Sequence, residues 1–454
     1  MSNHTDHDTG SLLLKNARVI DPSQNWDFKG DVLISNGKIV EVAPSISKKA
    51  IKSTKKIKVM DLSGLILSPG FIDLHCHLRD PGFEHKETVQ SGSAAAAAGG
   101  FTTVCAMPNT SPVIDNTGSL KILQQAISED ALIRVLPIAA ITKGQQGQAL
   151  VDFQGLLKQG VVAFSDDGNT LEDDHLMSQA LLYSKEFSFP IISHAESTKF
   201  TTNGQMNAGP LSFALGLEGR PSFAEEIVVA RDISLASHIG GHLHIAHVSS
   251  LGAVELIRTA KNKGVHVTSE VTPHHVTLTE RAVCHDLTTG SISKDFIPNI
   301  YNANAKVAPP LRSPKDVAAL IDAVEDETID VFATDHAPHS YEDKNTTFQS
   351  AAFGISALET ALSSLLLLVS QNKISLKTVI KKLTQDPAKI LNVPLGTLST
   401  GSIADIAVFN PDQSWRVSPE SLYSKGKNTP WLGKTMLGKV VLTIANGEIV
   451  YQKK

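Results

Sequence analysis

The chain has 454 residues, of which 41% are hydrophobic and 19% carry a charged side chain. This composition is typical of a globular protein with a large core, and the length exceeds that of one ordinary compact domain. The formal net charge of −5 at pH 7 argues against a general nucleic-acid-binding protein. Three scattered cysteines are too few for a disulfide framework, which favours a reducing, cytoplasmic compartment.

Neither a secretory signal nor a membrane-spanning segment is predicted. The first ten residues are polar, and no apolar signal-like region follows them. The longest strongly apolar run, residues 365–369, is far too short to cross a bilayer. We therefore expect an enzyme or binding protein that does not associate with membranes.

The two ends of the chain share a pattern of short strands and tight turns. At the amino-terminal end, Asn36-Gly37 separates two short apolar runs, and at the carboxyl-terminal end Asn446-Gly447 does the same. Such dipeptides are strong signals for two-residue hairpins. We expect residues 1–66 and 396–454 to fold together as one small β domain beside a central domain of residues 67–395.

The central part of the chain alternates between strand and helix patterns. Helices are predicted at residues 87–100, 153–159, 176–185, 223–239, 253–261 and 317–324. Strands are predicted at residues 71–79, 101–106, 131–141, 161–164, 190–194, 242–247, 264–271 and 329–335. Eight strands interleaved with helices predict an α/β fold of the (β/α)8 TIM-barrel type. A doubly wound open sheet is the alternative, although no Gly-x-Gly-x-x-Gly turn follows the first strand.

The first of these strands ends in His75-Cys76-His77-Leu78-Arg79. Because side chains alternate across a strand, His75 and His77 should point to one side and Cys76 to the other. Two imidazoles on one rigid strand can form half of a site for zinc or a similar divalent metal. Taken alone, a His-x-His pair is weak evidence for metal binding.

Further polar residues at the strand ends strengthen this hypothesis. In a barrel, His75, His77 and Asp335 could hold one ion, His194 and His247 a second, and the Asp167 carboxylate could bridge the two. Such a pair of ions activates water, and Asp335 is placed to carry its proton, which favours hydrolysis of an amide or similar bond. Taken singly, each of these side chains could equally be a structural residue such as a helix cap.

Three other side chains could recognise a substrate. Arg79, Asn109 and His339 offer one cation and two hydrogen-bonding groups, which suit a substrate carboxylate, although surface ion pairs or loop caps would use the same residues. His274-His275 could support the metal ligands or be purely structural. Cys76 is expected to pack against the helices.

Taken together, these segments resemble the amidohydrolase superfamily, and more narrowly the class I dihydroorotase family. The motifs that carry the resemblance are His75-Cys76-His77-Leu78-Arg79, Met107-Pro108-Asn109-Thr110, Asp166-Asp167-Gly168, His194-Ala195-Glu196, His244-Ile245-Ala246-His247, Thr272-Pro273-His274-His275, Pro309-Pro310-Leu311-Arg312, Thr334-Asp335-His336-Ala337-Pro338-His339 and Phe353-Gly354.

The resemblance implies zinc-dependent, reversible cyclisation of N-carbamoyl-L-aspartate to L-dihydroorotate in pyrimidine synthesis. Ring closure consumes a proton, so cyclisation should be favoured at lower pH and hydrolysis at higher pH. The metal ligands that it implies, for one or two zinc ions, are His75, His77, Asp167, His194, His247 and Asp335, with Asp335 also the catalytic proton carrier. The substrate contacts that it implies are His77, Leu78, Arg79, Asn109, His339, Phe353 and Gly354.

The sequence departs from the family pattern at three places. Ala308 stands where family members usually carry Asn, Asp80 stands where Glu is usual, and the stretch from Cys284 to Tyr301 looks longer than is typical. The Ala308 difference implies that one side-chain contact with the substrate is absent.

Two alternative functions remain open at this point. A hydantoinase or dihydropyrimidinase-like enzyme would use a carboxylated lysine on the fourth strand, where this chain reads Ser165-Asp166-Asp167. A non-catalytic homologue would act as a scaffold for aspartate transcarbamoylase, and such scaffolds typically lose metal ligands. Aspartate transcarbamoylase is thus one expected partner, and a homo-oligomer is expected as well.

Overall fold

The computed structural model describes residues 11–47, 57–284 and 301–453. The polar first ten residues and most of the stretch between Cys284 and Tyr301 lie outside these ranges. In the described parts of the chain, no helix is both long enough and apolar enough to cross a membrane.

The described residues form eighteen strands and fourteen α-helices. The strands are β1 (Leu12–Asp21), β2 (Trp26–Ser35), β3 (Lys38–Ala43), β4 (Lys58–Asp61), β5 (Ile66–Pro69), β6 (Phe71–Cys76), β7 (Phe101–Ala106), β8 (Arg134–Ala139), β9 (Ala163–Ser165), β10 (Ile191–Ser193), β11 (Met206–Asn207), β12 (Gly219–Arg220), β13 (Leu243–Ile245), β14 (Val267–Val271), β15 (Val331–Phe332), β16 (Ile406–Arg416), β17 (Thr435–Ala445) and β18 (Glu448–Gln452). The helices are α1 (Val89–Ala98), α2 (Thr117–Asp130), α3 (Phe153–Leu157), α4 (Asp174–Phe187), α5 (Thr198–Thr201), α6 (Pro210–Leu215), α7 (Phe223–Ile239), α8 (Leu251–Asn262), α9 (Pro273–Thr277), α10 (Pro314–Glu325), α11 (Tyr341–Lys344), α12 (Ala361–Ser370), α13 (Leu376–Leu383) and α14 (Gln385–Ile390).

A small sheet contains strands from both ends of the chain, as the sequence predicted. Its strand order is β18-β17-β16-β5-β1-β2-β3, with β4 paired to β1. The antiparallel pairing of β16 with β5 joins the two ends. Both predicted hairpins are present, because Asn36-Gly37 and Asn446-Gly447 have positive φ at both turn positions, as a tight two-residue turn of this hand requires.

The central sheet is the predicted parallel barrel. Its strand order is β15-β14-β13-β10-β9-β8-β7-β6. The first and last strands meet where the His77 N–H donates to the carbonyl oxygen of His336, at 2.9 Å, beside a parallel bridge between Cys76 and His336. Several strands are shorter than predicted. The last strand spans Val331–Phe332 where residues 329–335 were predicted, and beyond its end Asp335 adopts a left-handed backbone conformation with φ 43°.

The side chains of His75 and His77 lie on the opposite side of β6 from Cys76, as predicted, but the alternation is interrupted earlier in the strand. Cys76 and Leu78 belong to the apolar core between the barrel and its helices. Ile72 belongs to a second core cluster with Cys105 and Ile138 of the neighbouring strands. An irregularity in the β6–β7 pairing between Asp73 and Cys76 accompanies this change of side.

The alanine-rich helix α1 packs closely on the barrel. The Thr88 side chain caps its first turn by accepting a hydrogen bond from Ser91 N, and Ala95 to Ala98 are buried. Its small side chains allow a close approach to β7, and the helix ends before Gly99-Gly100, as predicted.

The barrel seam, where β6 meets the segment that follows β15, contains the buried Asp73 side chain, and its contribution to stability can be tested. Asp73 on β6 accepts hydrogen bonds from Thr334 N at 2.8 Å and from Thr334 Oγ1 at 2.5 Å. Thr334→Val leaves one buried carboxyl oxygen without this donor, so we expect the free energy of unfolding in urea to fall by about 1–3 kcal/mol. Thr384→Val is the matched control, because its hydroxyl bonds only a carbonyl of its own helix segment. An equal effect of both substitutions would contradict a special role for the seam.

Candidate metal centre and substrate cavity

The six predicted metal ligands converge at the carboxyl-terminal rim of the barrel. Each follows or ends a barrel strand, and each is buried or nearly so. The ligand atoms of five of them, all except His194, form two overlapping groups, and within each group all atoms lie within 4.8 Å of one another. These groups are His75, His77 and Asp335, and His75, Asp167 and His247.

The Asp167 carboxylate lies at the centre of the cluster. Its Oδ1 is 3.3 Å from both His75 Nε2 and His194 Nδ1, and 3.6 Å from His247 Nε2. Its Oδ2 is 3.4 Å from His77 Nε2. Asp167 is therefore placed to be a carboxylate ligand of any metal ion that these imidazoles would hold.

Asp335 closes the cluster on the other side. Its Oδ1 is 3.2 Å from His77 Nε2 and 3.6 Å from His75 Nε2. Burial acts to raise the pKa of the Asp335 carboxyl, but the hydrogen bond with His77 and the charge of His75 outweigh burial and lower it. Burial likewise acts against ionisation of Asp167, and the neighbouring histidines still hold its pKa well below the usual range. Both carboxylates are therefore ionised, as metal ligands must be.

The side chains of this cluster fit a divalent ion. His75 is fully buried, and its Nε2 has no hydrogen-bond partner although two carboxylates lie nearby. A buried nitrogen without a partner costs free energy unless something binds it. Imidazole nitrogens with carboxylate oxygens are the donor set that zinc prefers at sites without thiolates.

Acceptors outside the cluster fix which nitrogen of each ring faces the centre. Glu270 Oε1 lies 2.6 Å from His75 Nδ1, and Asn109 Oδ1 lies 2.9 Å from His77 Nδ1. Both rings therefore present Nε2 to the centre. His194 instead presents Nδ1, and its Nε2 lies 3.8 Å from a carboxylate oxygen of Glu196. Such outer partners orient metal-binding histidines in known sites.

Three of the site residues have unusual backbone conformations. Arg79, His247 and Asp335 have φ values of 61°, 33° and 43°. Residues other than glycine rarely adopt this left-handed region, and those that do cluster at functional sites. The backbone geometry thus marks the same residues as the sequence pattern.

A cavity of about 390 Å³ opens directly above the cluster. Its lining includes ten of the predicted site residues, namely His77, Arg79, Asn109, Asp167, His194, His247, Asp335, His339, Phe353 and Gly354. The predicted substrate residue Leu78 differs, because its side chain lies in the helix-facing core. Ala308 also lines the cavity, so the missing family Asn would have faced this space.

His339 and the Phe353-Gly354 segment form one wall of the cavity. His339 Nε2 donates to the Phe353 carbonyl oxygen at 2.8 Å, and the Arg79 guanidinium lies 3.4 Å from the same nitrogen. Burial and the Arg79 charge lower the pKa of His339 to about 3, so its ring is neutral near pH 7. Gly354 has φ 143°, and a Cβ there would lie 2.6 Å from the Ala337 carbonyl oxygen, which leaves room only for glycine.

Some residues around the site were not predicted. Glu270 was assigned only to a strand, and Arg220, which pairs with Glu196 at 2.6 Å and covers the Phe353 ring, was assigned no role. The position of Glu270, an acidic residue inside a short apolar strand, was the available signal. Of the two open cases, His275 is held by Thr272 and a backbone carbonyl, whereas both ring nitrogens of His274 are buried without partners.

Comparisons with known proteins agree with this site. A family model described as "Dihydro-orotase-like" matches residues 64–252, and one described as "Amidohydrolase family" matches residues 316–451. The chain is 46% identical to the dihydroorotase of Syntrophus aciditrophicus over 97% of this chain and 99% of that protein. It is 45% identical to the dihydroorotase of Aquifex aeolicus over 97% and 99% of the two chains. The chain belongs to the dihydroorotase family of metal-dependent cyclic amide hydrolases.

The predicted family and fold class are therefore confirmed. Solved structures with the same fold include the L-hydantoinase (dihydropyrimidinase) of Arthrobacter aurescens, with a TM-score of 0.84 and 23% identity over 98% of this chain and 97% of that one. The dihydropyrimidinase of Brevibacillus agri has a TM-score of 0.81 and 23% identity over 97% and 95% of the chains. At this identity the likeness concerns the fold, whereas the dihydroorotases are far closer in sequence.

The role of Asp167 can be tested with its own neighbour as the control. Asp167→Asn removes the charge shared by four imidazoles, so we expect divalent-metal affinity to weaken by more than about 100-fold, the upper end of losses seen for outer partners of ligands. Asp166→Asn is matched in residue type and burial, but its carboxylate accepts from Ile141 N and Thr142 N instead. Metal titration of both metal-free variants measures the difference. Equal affinities would contradict a metal-binding role for Asp167.

Proposed function

We propose that the protein is a dihydroorotase that interconverts N-carbamoyl-L-aspartate and L-dihydroorotate with zinc held by His75, His77, Asp167, His194, His247 and Asp335. The observation that carries this proposal is the placement of two overlapping His/Asp groups, with His194 beside their shared Asp167, directly beneath a cavity whose wall contains Arg79. The cluster provides the means to cleave a cyclic amide, and the guanidinium provides a partner for a substrate carboxylate.

Bound zinc would supply a Lewis acid for the amide carbonyl and lower the pKa of a water molecule. Asp335 acts as the general base and then as the general acid of the reaction. Its Oδ1 faces His77 and His75, whereas within the described ranges Oδ2 accepts no hydrogen bond and the residue lines the cavity. In the hydrolytic direction, Oδ2 is placed to take the proton of the attacking water and to deliver it to the leaving ring nitrogen.

Arg79 and Asn109 would orient the substrate by its carboxylate. The Arg79 side chain is anchored by its Nε, which donates to the Pro338 carbonyl oxygen at 3.3 Å. The Asn109 Oδ1 is engaged by His77, and its NH2 group donates one long hydrogen bond, of 3.4 Å, to the Asp167 carbonyl oxygen. The second N–H of this group remains for a carboxylate oxygen. Asn109 therefore connects substrate recognition to the orientation of a metal ligand. Because Ala308 cannot donate a hydrogen bond, recognition depends more heavily on these two residues.

The two alternative functions are less well supported. A hydantoinase site would need a lysine at the end of β9, where Asp167 stands, and hydantoin and dihydrouracil lack the carboxylate that Arg79 would bind. A non-catalytic scaffold would have no need of a complete ligand set. In this chain five of the six residues form two overlapping groups, and His194 adjoins them through Asp167. We further propose a cytoplasmic location and a homo-oligomer, with aspartate transcarbamoylase as one partner.

A direct assay tests the proposed function. Protein with zinc content measured by elemental analysis should hydrolyse dihydroorotate faster than dihydrouracil or hydantoin, because the latter two have no group for Arg79 to bind. Asp335→Asn and His194→Ala should both lose activity, and His194→Ala should also lose zinc. Faster turnover of dihydrouracil would overturn the assignment, and a zinc-free, inactive wild-type protein would favour the scaffold.

The role of Arg79 has its own prediction. Arg79→Gln removes a charge-assisted contact worth about 1.5–3 kcal/mol, so kcat/KM for dihydroorotate should fall by about 10- to 150-fold. Any residual hydrolysis of dihydrouracil should not change. Arg231→Gln is the control, because Arg231 lies on α7 and pairs with Asp232 outside the cavity. A similar loss on both substrates would mean that Arg79 acts on the fold or the metal cluster instead.

A further inference from the structure

A chain of buried hydrogen bonds runs from the metal centre into the barrel interior. Its hub is Glu270 on β14, which is completely buried. Glu270 Oε1 lies 2.6 Å from His75 Nδ1, and Glu270 Oε2 lies 3.2 Å from His244 Nε2. The other nitrogen of His244 lies 2.8 Å from Thr268 Oγ1.

Strand geometry explains why these side chains meet. Thr268 and Glu270 are two residues apart on β14, so they point to the same side of the strand. His244 on β13 pairs directly with Thr268 across the two parallel strands. The three side chains thus form a polar strip within a barrel that is otherwise filled by apolar residues such as Ile138, Ile192 and Val331.

The direction of each hydrogen bond in the strip is determined. A carboxylate only accepts, so His75 Nδ1–H and His244 Nε2–H both donate to Glu270. His244 Nδ1 then carries a lone pair and accepts from the Thr268 hydroxyl. Because His75 Nδ1–H is committed to Glu270, His75 Nε2 is the nitrogen that faces Asp167 and Asp335 and would give up its hydrogen to a metal ion.

We propose that Glu270 is a positioning residue that holds His75 as an Nε2 metal ligand, and that His244 and Thr268 hold Glu270 in turn. This inference rests on the proposed zinc site and assigns residues that the proposed function does not use. Burying an acidic side chain and a histidine inside an apolar barrel costs free energy. Both Glu270 oxygens are paired, one of them with the predicted ligand His75, while His75 Nε2 has no hydrogen-bond partner. This combination indicates that the buried pair serves to orient His75 for metal binding.

The strip continues toward the opposite end of the barrel. His242 Nε2 lies 2.8 Å from Thr268 Oγ1, and its ring stacks on His266 with the centroids 4.2 Å apart. His242, His266 and Thr268 line a separate cavity of about 320 Å³. Solvent can therefore reach the far end of the strip, so substitutions should have weaker effects with increasing distance from His75.

The central experiment measures zinc affinity by chelator competition on metal-free protein. Glu270→Gln keeps the shape, but its amide accepts from only one ring and offers N–H to the other. If His75 changes tautomer in response, its Nε2 carries a hydrogen and cannot bind metal. We expect zinc affinity to fall by about 10- to 100-fold, with a smaller loss in Thr268→Val.

Two further variants keep the test decisive if Glu270→Gln does not fold. His244→Leu removes the donor to Glu270 Oε2 and should weaken zinc binding. His244→Gln can still donate from its amide, so it should restore most of the wild-type affinity. A residue with only a structural role would change the melting temperature of the metal-free protein without this loss and rescue of zinc affinity.

The matched control is Glu225→Gln, since Glu225 is a buried glutamate that bonds Ser249 and Arg312 and contacts none of the six ligands. It should keep wild-type zinc affinity. Unchanged affinity in Glu270→Gln, or an equal loss in Glu225→Gln, would overturn the inference while leaving the proposed function intact. If the wild-type protein itself binds no zinc, the proposed function fails and this inference fails with it.

Discussion

The structure of the site depends on a single shared negative charge. The Asp167 carboxylate lies within 3.3–3.6 Å of nitrogens of four imidazoles, which come from three separate strand ends. Without that charge, the four buried imidazoles would have no acceptor in common. The carboxylate lowers the energetic cost of collecting them. A closed parallel sheet is the architecture that permits this collection, because it brings the carboxyl-terminal ends of all its strands to one rim.

Buried hydrogen bonds and constrained backbone conformations fix the positions of the predicted metal ligands. The Asp73–Thr334 hydrogen bonds join the first and last barrel strands just below His75 and Asp335, so ligands that are about 260 residues apart in sequence are fixed relative to each other. The left-handed backbone at Arg79, His247 and Asp335 turns each chain sharply at the rim. Such conformations persist only where the surrounding structure enforces them, and here buried strands lie immediately before each turn.

The sequence was sufficient for the fold and for the ligand cluster, because both depend on simple periodicity. Alternation along β6 separated His75 and His77 from Cys76, and strand-end positions brought Asp167 and Asp335 together. The role of Glu270 was not recognised, because the sequence alone does not show which side chain an acidic residue in a short strand pairs with. Its partner His244 entered the sequence analysis only as part of the motif that ends in His247, since its pairing with Glu270 depends on cross-strand register. Strand lengths were overestimated because the chain turns at the rim while its apolar pattern continues.

The resemblance to hydantoinases in fold raises the question of what distinguishes the substrates. A carboxylated lysine and an aspartate both supply one negative charge, so the residue at the end of β9 cannot by itself select a substrate. The selection must come from the cavity wall, where this chain presents the Arg79 guanidinium beside a neutral His339. Burial strengthens that guanidinium as a carboxylate partner, because little water competes for its N–H groups. Under the proposed function, Asn109 would couple recognition to catalysis, since a carboxylate that engages its NH2 group would also act on the amide that orients His77.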